Sequence, residues 1–141
     1  MIYWDTSALV PVFVIEKETE KVREWLKEFD DAPRFTSWLT VFEFETTLKR
    51  KINQKLLSVN EYDSIQERWM EFCASLNFIP LDSRVTRMGS QIQRLHGLRP
   101  YESIQLGSAS LVKLDHPELK LACLDEKLVR VSKQEGFPCL T

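Results

Sequence analysis

The chain has 141 residues, of which 43% are hydrophobic and 28% charged, and a formal net charge of −2. This length suits a single domain spanning residues 1–141, and the composition is that of a globular protein, which excludes a disordered chain. The net charge excludes a globally basic nucleic-acid binder, so nucleic-acid binding would require a local basic patch.

The three cysteines indicate neither a metal site nor a disulfide framework. Cys73, Cys123 and Cys139 are odd in number and far apart, and reduced thiols fit a cytoplasmic protein. The longest apolar run, residues 8–15, is too short to cross a bilayer. The N-terminus carries no basic residue before Asp5, so it does not resemble a signal peptide. We therefore expect a cytoplasmic protein with no membrane contact.

Short apolar segments alternate with helical patterns along the whole chain. Asn60 is the predicted N-cap of the fourth helix, and Gly97 is the predicted C-cap of the fifth. Strands that alternate with helices indicate βαβ units, so the predicted fold class is α/β with a central parallel sheet flanked by helices. In chain order we predict a strand at 1–5, helices at 7–13 and 16–29, a strand at 34–37, helices at 38–55 and 61–76, a strand at 78–81, helices at 83–96 and 100–113, a strand at 119–124, a helix at 126–134 and a strand at 137–140.

Two of the predicted strands end directly in an aspartate. Apolar residues 1–4 lead into Asp5, and residues 119–124 lead into Asp125. In a parallel sheet these two ends lie at the same edge, where α/β folds bind ligands. Each aspartate could also be the N-cap of the helix that follows it, which is a purely structural role. The pair is therefore a stronger indication of a site than either aspartate alone.

The helix predicted at 100–113 carries a glutamate in its first turn. Glu102 shares one helical face with Leu106 and Ala109, and the small residues 107–110 suit a closely packed helix. An acid on a buried face requires a partner or a metal ion. The helix macrodipole alone also favours an acid in the first turn, so a structural role remains open.

The helix predicted at 38–55 contains two candidate acids. Helical periodicity places Glu45 on the apolar stripe that includes Val41 and Leu48, and it places Glu43 roughly opposite. Periodicity therefore nominates Glu45 as the acid that faces the core.

Four acidic segments, taken in order, resemble the motifs of a known family. The chain resembles, over nearly its whole length, a PIN domain, and specifically the VapC-like toxins of bacterial and archaeal toxin–antitoxin pairs. The resemblance implies a PIN-like three-layer α/β/α fold, and its Leu-Thr-x-x-Glu pattern selects Glu43 over Glu45. The segments are Met1–Val10 with Asp5, Ser37–Phe44 with Glu43, His96–Leu106 with Glu102, and Leu124–Leu128 with Asp125.

The resemblance implies a metal-dependent endoribonuclease that hydrolyses RNA phosphodiester bonds. Four converging carboxylates would repel one another unless a divalent cation neutralised them, and oxygen-only ligands favour Mg²⁺ or Mn²⁺. Thr6 and Ser7 would contact the phosphate or support the acids, or else cap the following helix. The implied catalytic and metal-binding residues are Asp5, Glu43, Glu102 and Asp125.

The resemblance also implies partners. These are an RNA substrate, a cognate VapB-like antitoxin that blocks the cleft, and a second copy of the chain in a homodimer. RNA binding needs cationic groups near the acids. Lys49, Arg50 and Lys51 follow Glu43 in the sequence and are candidates, although most such residues form ordinary solvated faces.

Two alternatives remain open at this point. The third acid of the family is usually an Asp followed by Ala, whereas this chain has Glu102 followed by Ser103. The longer side chain leaves room for a catalytically weak PIN scaffold that mainly binds RNA or a protein partner. The second alternative is a pure interaction protein, in which aromatic residues such as Trp38 and Trp69 contact partner proteins. A phosphatase of the aspartyl-nucleophile class would need Asp at position 7, where Ser7 stands.

Overall fold

Five parallel strands form the centre of the molecule. The computed structural model describes residues 1–140, and the strand order across the sheet is β3-β2-β1-β4-β5. Ile2 pairs with Arg34 on one side and with Lys120 on the other, so the first strand lies in the middle of the sheet. The strands are β1 (Ile2–Trp4), β2 (Arg34–Ser37), β3 (Leu76–Ile79), β4 (Lys120–Ala122) and β5 (Cys139–Leu140).

Seven helices cover the two faces of this sheet in residues 1–140. The first strand shows why both faces are covered, since Ile2, Tyr3 and Trp4 are all buried. Strands buried on both faces are typical of parallel sheets with crossover helices. The helices are α1 (Thr6–Phe13), α2 (Thr19–Glu28), α3 (Leu39–Asn53), α4 (Val59–Cys73), α5 (Ser83–His96), α6 (Pro100–Asp115) and α7 (Glu126–Gln134).

Two hydrophobic clusters lie on opposite faces of the sheet. Ile2 and Trp4 pack with residues of α1 to α4, whereas Tyr3 packs with residues of α5, α6 and α7. This alternation follows from the strand repeat of two residues. The structure thus confirms the predicted α/β class, with helices, a parallel sheet and helices as its three layers.

Helices α5 and α6 approach each other at two glycines. A Cβ atom on Gly107 would lie 2.8 Å from the backbone nitrogen of Gly89, and one on Gly89 would lie 2.8 Å from the carbonyl oxygen of Ser103. Real side chains do not tolerate such distances, so only glycine permits this packing. The contact holds α6, which carries Glu102, firmly against its neighbour.

Several predicted boundaries differ from the structure by one to three residues, and two of these differences have a clear physical cause. The third strand is Leu76–Ile79 and not 78–81, because Pro80 has no N–H with which to continue the sheet. The N-cap of α4 is Ser58 and not Asn60. Ser58 and Glu61 exchange hydrogen bonds in a capping box, which fixes the start of a helix more strongly than Asn60 alone would.

No helix within residues 1–140 is long and apolar enough to cross a membrane. The cysteines Cys73, Cys123 and Cys139 are all free thiols.

Candidate active site

A single cleft at the carboxyl ends of the strands collects the sequence-predicted residues. Its volume is about 450 Å³. Asp5 and Asp125 follow β1 and β4, which are neighbours in the sheet, while Glu43 lies on α3 and Glu102 in the first turn of α6. The sequence-predicted residues that line the cleft are Asp5, Thr6, Ser7, Glu43, Glu102 and Asp125.

Asp5 is held from one side by neutral donors. Its Oδ2 accepts hydrogen bonds from the backbone N–H of Ser7 at 2.9 Å and from the Ser7 hydroxyl at 2.5 Å. The side chain caps α1, as the structural interpretation predicted. Burial raises the pKa of Asp5, and the negative charge of Asp125 raises it further, against the opposing effect of the Ser7 hydrogen bonds.

Asp125 has the same arrangement on the neighbouring strand. Its Oδ1 accepts a hydrogen bond from the backbone N–H of Leu128 at 2.8 Å and so caps α7. Both aspartates are therefore N-caps as well as residues of the cleft. The two roles are compatible, since capping uses one carboxylate oxygen and leaves the other for the cleft.

Glu43 enters the cleft, and Glu45 does not. Oε2 of Glu43 accepts hydrogen bonds from Thr6 Oγ1 at 2.6 Å and from Gln105 Nε2 at 2.5 Å. Burial raises its pKa, and these two hydrogen bonds oppose that effect. Glu45 is exposed and hydrogen-bonds with Tyr62 and Gln66 on α4. The periodicity argument for Glu45 was therefore wrong, because α3 packs against the core on one side and borders the cleft on another.

Glu102 differs from the other three acids because Arg99 donates a hydrogen bond to each of its oxygens. Oε2 accepts the backbone N–H of Arg99 at 2.8 Å, and Oε1 accepts Arg99 Nε, also at 2.8 Å. Lys127 Nζ lies 3.7 Å from Oε2. Burial acts to raise the pKa of Glu102, but the hydrogen bonds and charge of Arg99, together with the charge of Lys127, outweigh it and leave the pKa below its usual range.

The remaining carboxylate oxygens bear on whether a divalent cation fits. Asp5 Oδ1, Glu43 Oε1 and Asp125 Oδ2 have no hydrogen-bond partner within residues 1–140, and no described basic side chain forms an ion pair with these acids. Hard oxygen donors without a counter-cation are the set that Mg²⁺ or Mn²⁺ prefers. The donor chemistry therefore fits such an ion.

The acids are more widely spread than a closed coordination shell. In the part of the chain that is described, no three His, Cys, Asp or Glu side chains are grouped closely enough to hold a metal ion by themselves. Mg²⁺ commonly retains several waters and binds through only one or two carboxylates. Acids spread around the cleft in this way are compatible with an ion that binds one or two carboxylates and keeps several waters.

A buried polar layer behind Glu43 escaped the sequence reasoning. Gln105 is 1% exposed. Its Nε2 donates to Glu43 and Thr40 and lies 3.2 Å from Thr6 Oγ1, while its Oε1 accepts from the hydroxyl of Tyr3 at 2.7 Å. Gln105 lies three residues beyond Glu102, nearly one helical turn. A glutamine at that spacing, on a helical face of otherwise apolar and small residues, was the signal that could have identified Gln105 as a residue near the acids.

Cys123 also lies against the site, where the resembled family often has Thr. Its Sγ is 3.6 Å from Ser7 Oγ and 3.7 Å from Asp5 Oδ2, and the residue is buried. Burial, followed by the charge of Asp5, raises the pKa of the Cys123 thiol far above its usual range. The residue is therefore a neutral thiol that packs beside Asp5.

Three cationic residues line the cleft, namely Arg50, Lys51 and Arg99. Lys51 forms an ion pair with Glu16, which lies on the same cleft. Arg84 pairs with Asp82 at 2.6 Å and does not line the cleft, and of the candidates Lys49, Arg50 and Lys51 only Lys49 is absent from the lining. The local positive charge that a polyanion requires is thus concentrated on α3 and at the start of α6.

Comparisons with known proteins place this geometry in context. A family model described as the PIN domain matches residues 2–134. No curated protein matches the chain in sequence.

Solved structures share the fold at low sequence identity. FitAcB from Neisseria gonorrhoeae superimposes with a TM-score of 0.69 at 18% identity, covering 100% of this chain and 97% of that one. VapBC2 from Rickettsia felis, bound to a promoter DNA fragment, gives a TM-score of 0.66 at 15% identity over 99% and 97% of the two chains. A toxin–antitoxin complex from Klebsiella pneumoniae gives 0.64 at 18% identity over 87% and 85%.

Proposed function

This chain belongs to the PIN domain family, and we propose that it is a metal-dependent endoribonuclease of the VapC-like toxin type. PIN domains are generally nucleases, and the solved structures that share its fold include toxin–antitoxin complexes. The observation that carries the proposal is the cleft itself. Asp5, Glu43 and Asp125 line it with one carboxylate oxygen each fixed by the protein and one left without a described partner.

In this proposal Asp5, Glu43 and Asp125 would hold Mg²⁺ or Mn²⁺. The ion, when bound, would activate water and stabilise the charge that develops on the leaving oxygen. Ser7 keeps Asp5 oriented, and Thr6 does the same for Glu43, because each donates a hydrogen bond to the carboxylate oxygen on the protein side. The acids are thus presented to the cleft in fixed orientations before any ligand arrives.

The cationic residues of the cleft would hold the RNA backbone. Arg50 and Arg99, which line the same cleft, can offer guanidinium donors to phosphate oxygens. Glu102 would act as a fourth acid that positions water or a ligand. A VapB-like antitoxin that covers this cleft, and a homodimer, are part of the same proposal. The toxin–antitoxin complex among the similar structures supports the antitoxin partner.

Cleavage of an RNA pool tests the proposal. Wild-type protein is incubated with the RNA in the presence of Mn²⁺ or of EDTA, and the Asp5→Asn variant is incubated with the same RNA and Mn²⁺. We expect cleavage by the wild type with Mn²⁺ only. Asp82→Asn is the matched control, because Asp82 is also the N-cap aspartate of a helix but lies outside the cleft. Cleavage that persists in EDTA and in Asp5→Asn would refute metal-dependent hydrolysis at this site.

One observation favours a second candidate, a catalytically weak PIN scaffold that binds RNA or a protein partner. Both oxygens of Glu102 are taken by Arg99, and Lys127 is nearby. An acid committed in this way does not serve the cleft. If the wild type is inactive and Glu102→Asp gains Mn²⁺-dependent cleavage, the scaffold function is the correct one.

A further inference from the structure

A layer of buried hydroxyl and amide groups lies directly behind Glu43. Its members come from five different elements and are all buried. Burying so many polar groups is costly unless each has a partner, so a layer of this kind is kept only where its geometry matters. The members are Tyr3 on β1, Thr6 on α1, Thr36 on β2, Thr40 on α3 and Gln105 on α6.

The hydrogens of this layer can be assigned one by one. The hydroxyl of Thr36 donates to the carbonyl oxygen of Trp4 at 2.8 Å, so in the Thr36–Thr40 hydrogen bond Thr40 is the donor. Thr40 must then accept from Gln105 Nε2, which lies 3.0 Å away. A hydroxyl has only one hydrogen to donate. The donor and acceptor roles of Thr36 and Thr40, and of the Gln105 nitrogen that faces Thr40, are therefore fixed.

Tyr3 fixes the orientation of the Gln105 amide. Its hydroxyl donates to Gln105 Oε1 at 2.7 Å, and a phenol carries its proton at neutral pH. With the carbonyl end of the amide bound to Tyr3, the N–H end must face Glu43, at 2.5 Å. Reversing the amide would set a carbonyl oxygen against a carboxylate oxygen.

We infer that Gln105 is a positioning residue, oriented by Tyr3, that holds the Glu43 carboxylate with Oε1 turned into the cleft for a divalent cation. The inference rests on the proposed metal-dependent function. Gln105 and Thr6 both donate to Oε2, so this oxygen is saturated from the protein side and the side chain cannot rotate without breaking two hydrogen bonds. Groups that orient metal ligands in this manner contribute roughly 10- to 100-fold to metal affinity.

The test measures Mn²⁺ affinity by calorimetric titration of the intact chain. Gln105→Met retains the length of the side chain and removes the amide, so we expect Mn²⁺ to bind about 10- to 100-fold more weakly. Tyr3→Phe retains Gln105 but frees its amide, and we expect a smaller loss in the same direction. Val112→Ala is the control, since it removes buried methyl groups from the same helix without touching the layer.

A kinetic measurement separates positioning from a general loss of structure. For Gln105→Met we expect the Mn²⁺ concentration that gives half-maximal cleavage to rise, while KM for RNA and kcat at saturating Mn²⁺ stay close to wild-type values. Should Gln105→Met fail to fold, Tyr3→Phe provides both measurements.

The outcomes distinguish this inference from the function on which it rests. If the wild type binds Mn²⁺ and both Gln105→Met and Tyr3→Phe bind it with the same affinity, the positioning role is overturned and the proposed function is not. Equal weakening in Val112→Ala also overturns it, because the effect would then come from loosening α6. Absence of Mn²⁺ binding in the wild type overturns the proposed function and this inference together.

Discussion

Shortening Glu102 by one methylene group is the most informative single change in the cleft. In Glu102→Asp the carboxylate retreats by about 1.5 Å, roughly one carbon–carbon bond. The hydrogen bonds of Glu102 to the backbone N–H and the Nε of Arg99 are both 2.8 Å long. Neither survives such an extension, because hydrogen bonds of this kind do not reach much beyond 3.2 Å.

The cost in stability follows from the exposure of the partners. The capping hydrogen bond is worth about 0.5–1.5 kcal/mol. The Arg99 side chain is 76% exposed, so its ion pair adds at most about 1 kcal/mol after solvent screening. The free energy of unfolding should therefore fall by about 1–2 kcal/mol. For a domain of this size, that loss corresponds to a decrease in Tm of roughly 2–8 °C.

The same change should raise activity. In the wild type, the Glu102 carboxylate must break its ion pair with Arg99 before it can contact a ligand in the cleft. An ion pair worth up to about 1 kcal/mol lowers the population of molecules with a released carboxylate by a factor of up to about five. We therefore expect Glu102→Asp to cleave RNA with Mn²⁺ up to about fivefold faster than the wild type. Thermal unfolding followed by circular dichroism gives Tm, and single-turnover cleavage of a labelled RNA gives the rate.

A second capping box supplies the matched control. Glu61 at the start of α4 accepts the backbone N–H of Ser58 at 2.7 Å and lies outside the cleft. Glu61→Asp should lower Tm by a similar amount without altering cleavage. A Glu102→Asp variant that retains wild-type Tm, or that cleaves more slowly than the wild type, contradicts the reasoning, because Glu102 would then be a fitted ligand at its present length.

Three further predictions concern the same architecture. In metal-free protein at pH 7, Asp5→Asn should raise the urea midpoint of unfolding, because burial raises the pKa of Asp5 and its charge destabilises the folded state. Below the ordinary aspartate pKa of about 3.9 the carboxyl is neutral in the folded and the unfolded state, so this gain should vanish. An equal gain at pH 7 and below that pKa would contradict the prediction. Acidification should weaken Mn²⁺ binding at a higher pH than ordinary carboxyls would require, since the pKa values of Asp5 and Glu43 are both raised by burial; calorimetric titrations between roughly pH 5 and pH 8 measure this. Gly107→Ala should cost about 1–3 kcal/mol and also reduce cleavage, because a Cβ 2.8 Å from Gly89 forces α6 away from α5; an unchanged Tm would show that the helices can separate freely.

The element order of this chain follows from local patterns, and the places where prediction failed have physical causes. The α/β class and the parallel sheet are confirmed, because strands and helices alternate in sequence. The third strand was placed too late because an apolar run continues to Leu81, whereas the sheet stops at Ile79, just before Pro80. Apolar composition alone does not show which residues can donate to a neighbouring strand.

The candidate site was predictable only in part. The acids at the strand ends could be found because the sheet itself brings them to one edge. Glu43 required the family pattern, since a helix in contact with both core and cleft has no single apolar stripe. Gln105 was missed, although a glutamine on a helical face of small and apolar residues was a local signal. Its partner Tyr3 lies 102 residues earlier in the chain, so local patterns do not show that the two side chains meet.

The central position of β1 in the sheet has a consequence for protein synthesis. Asp5 is translated before the other acids of the cleft, whereas β4, which brings Asp125 beside it, follows β1, α3 and α6 in the chain. A nascent chain that ends before residue 125 lacks one of the three acids. The acids that line the cleft can therefore meet only after β4 has been made and has paired with β1.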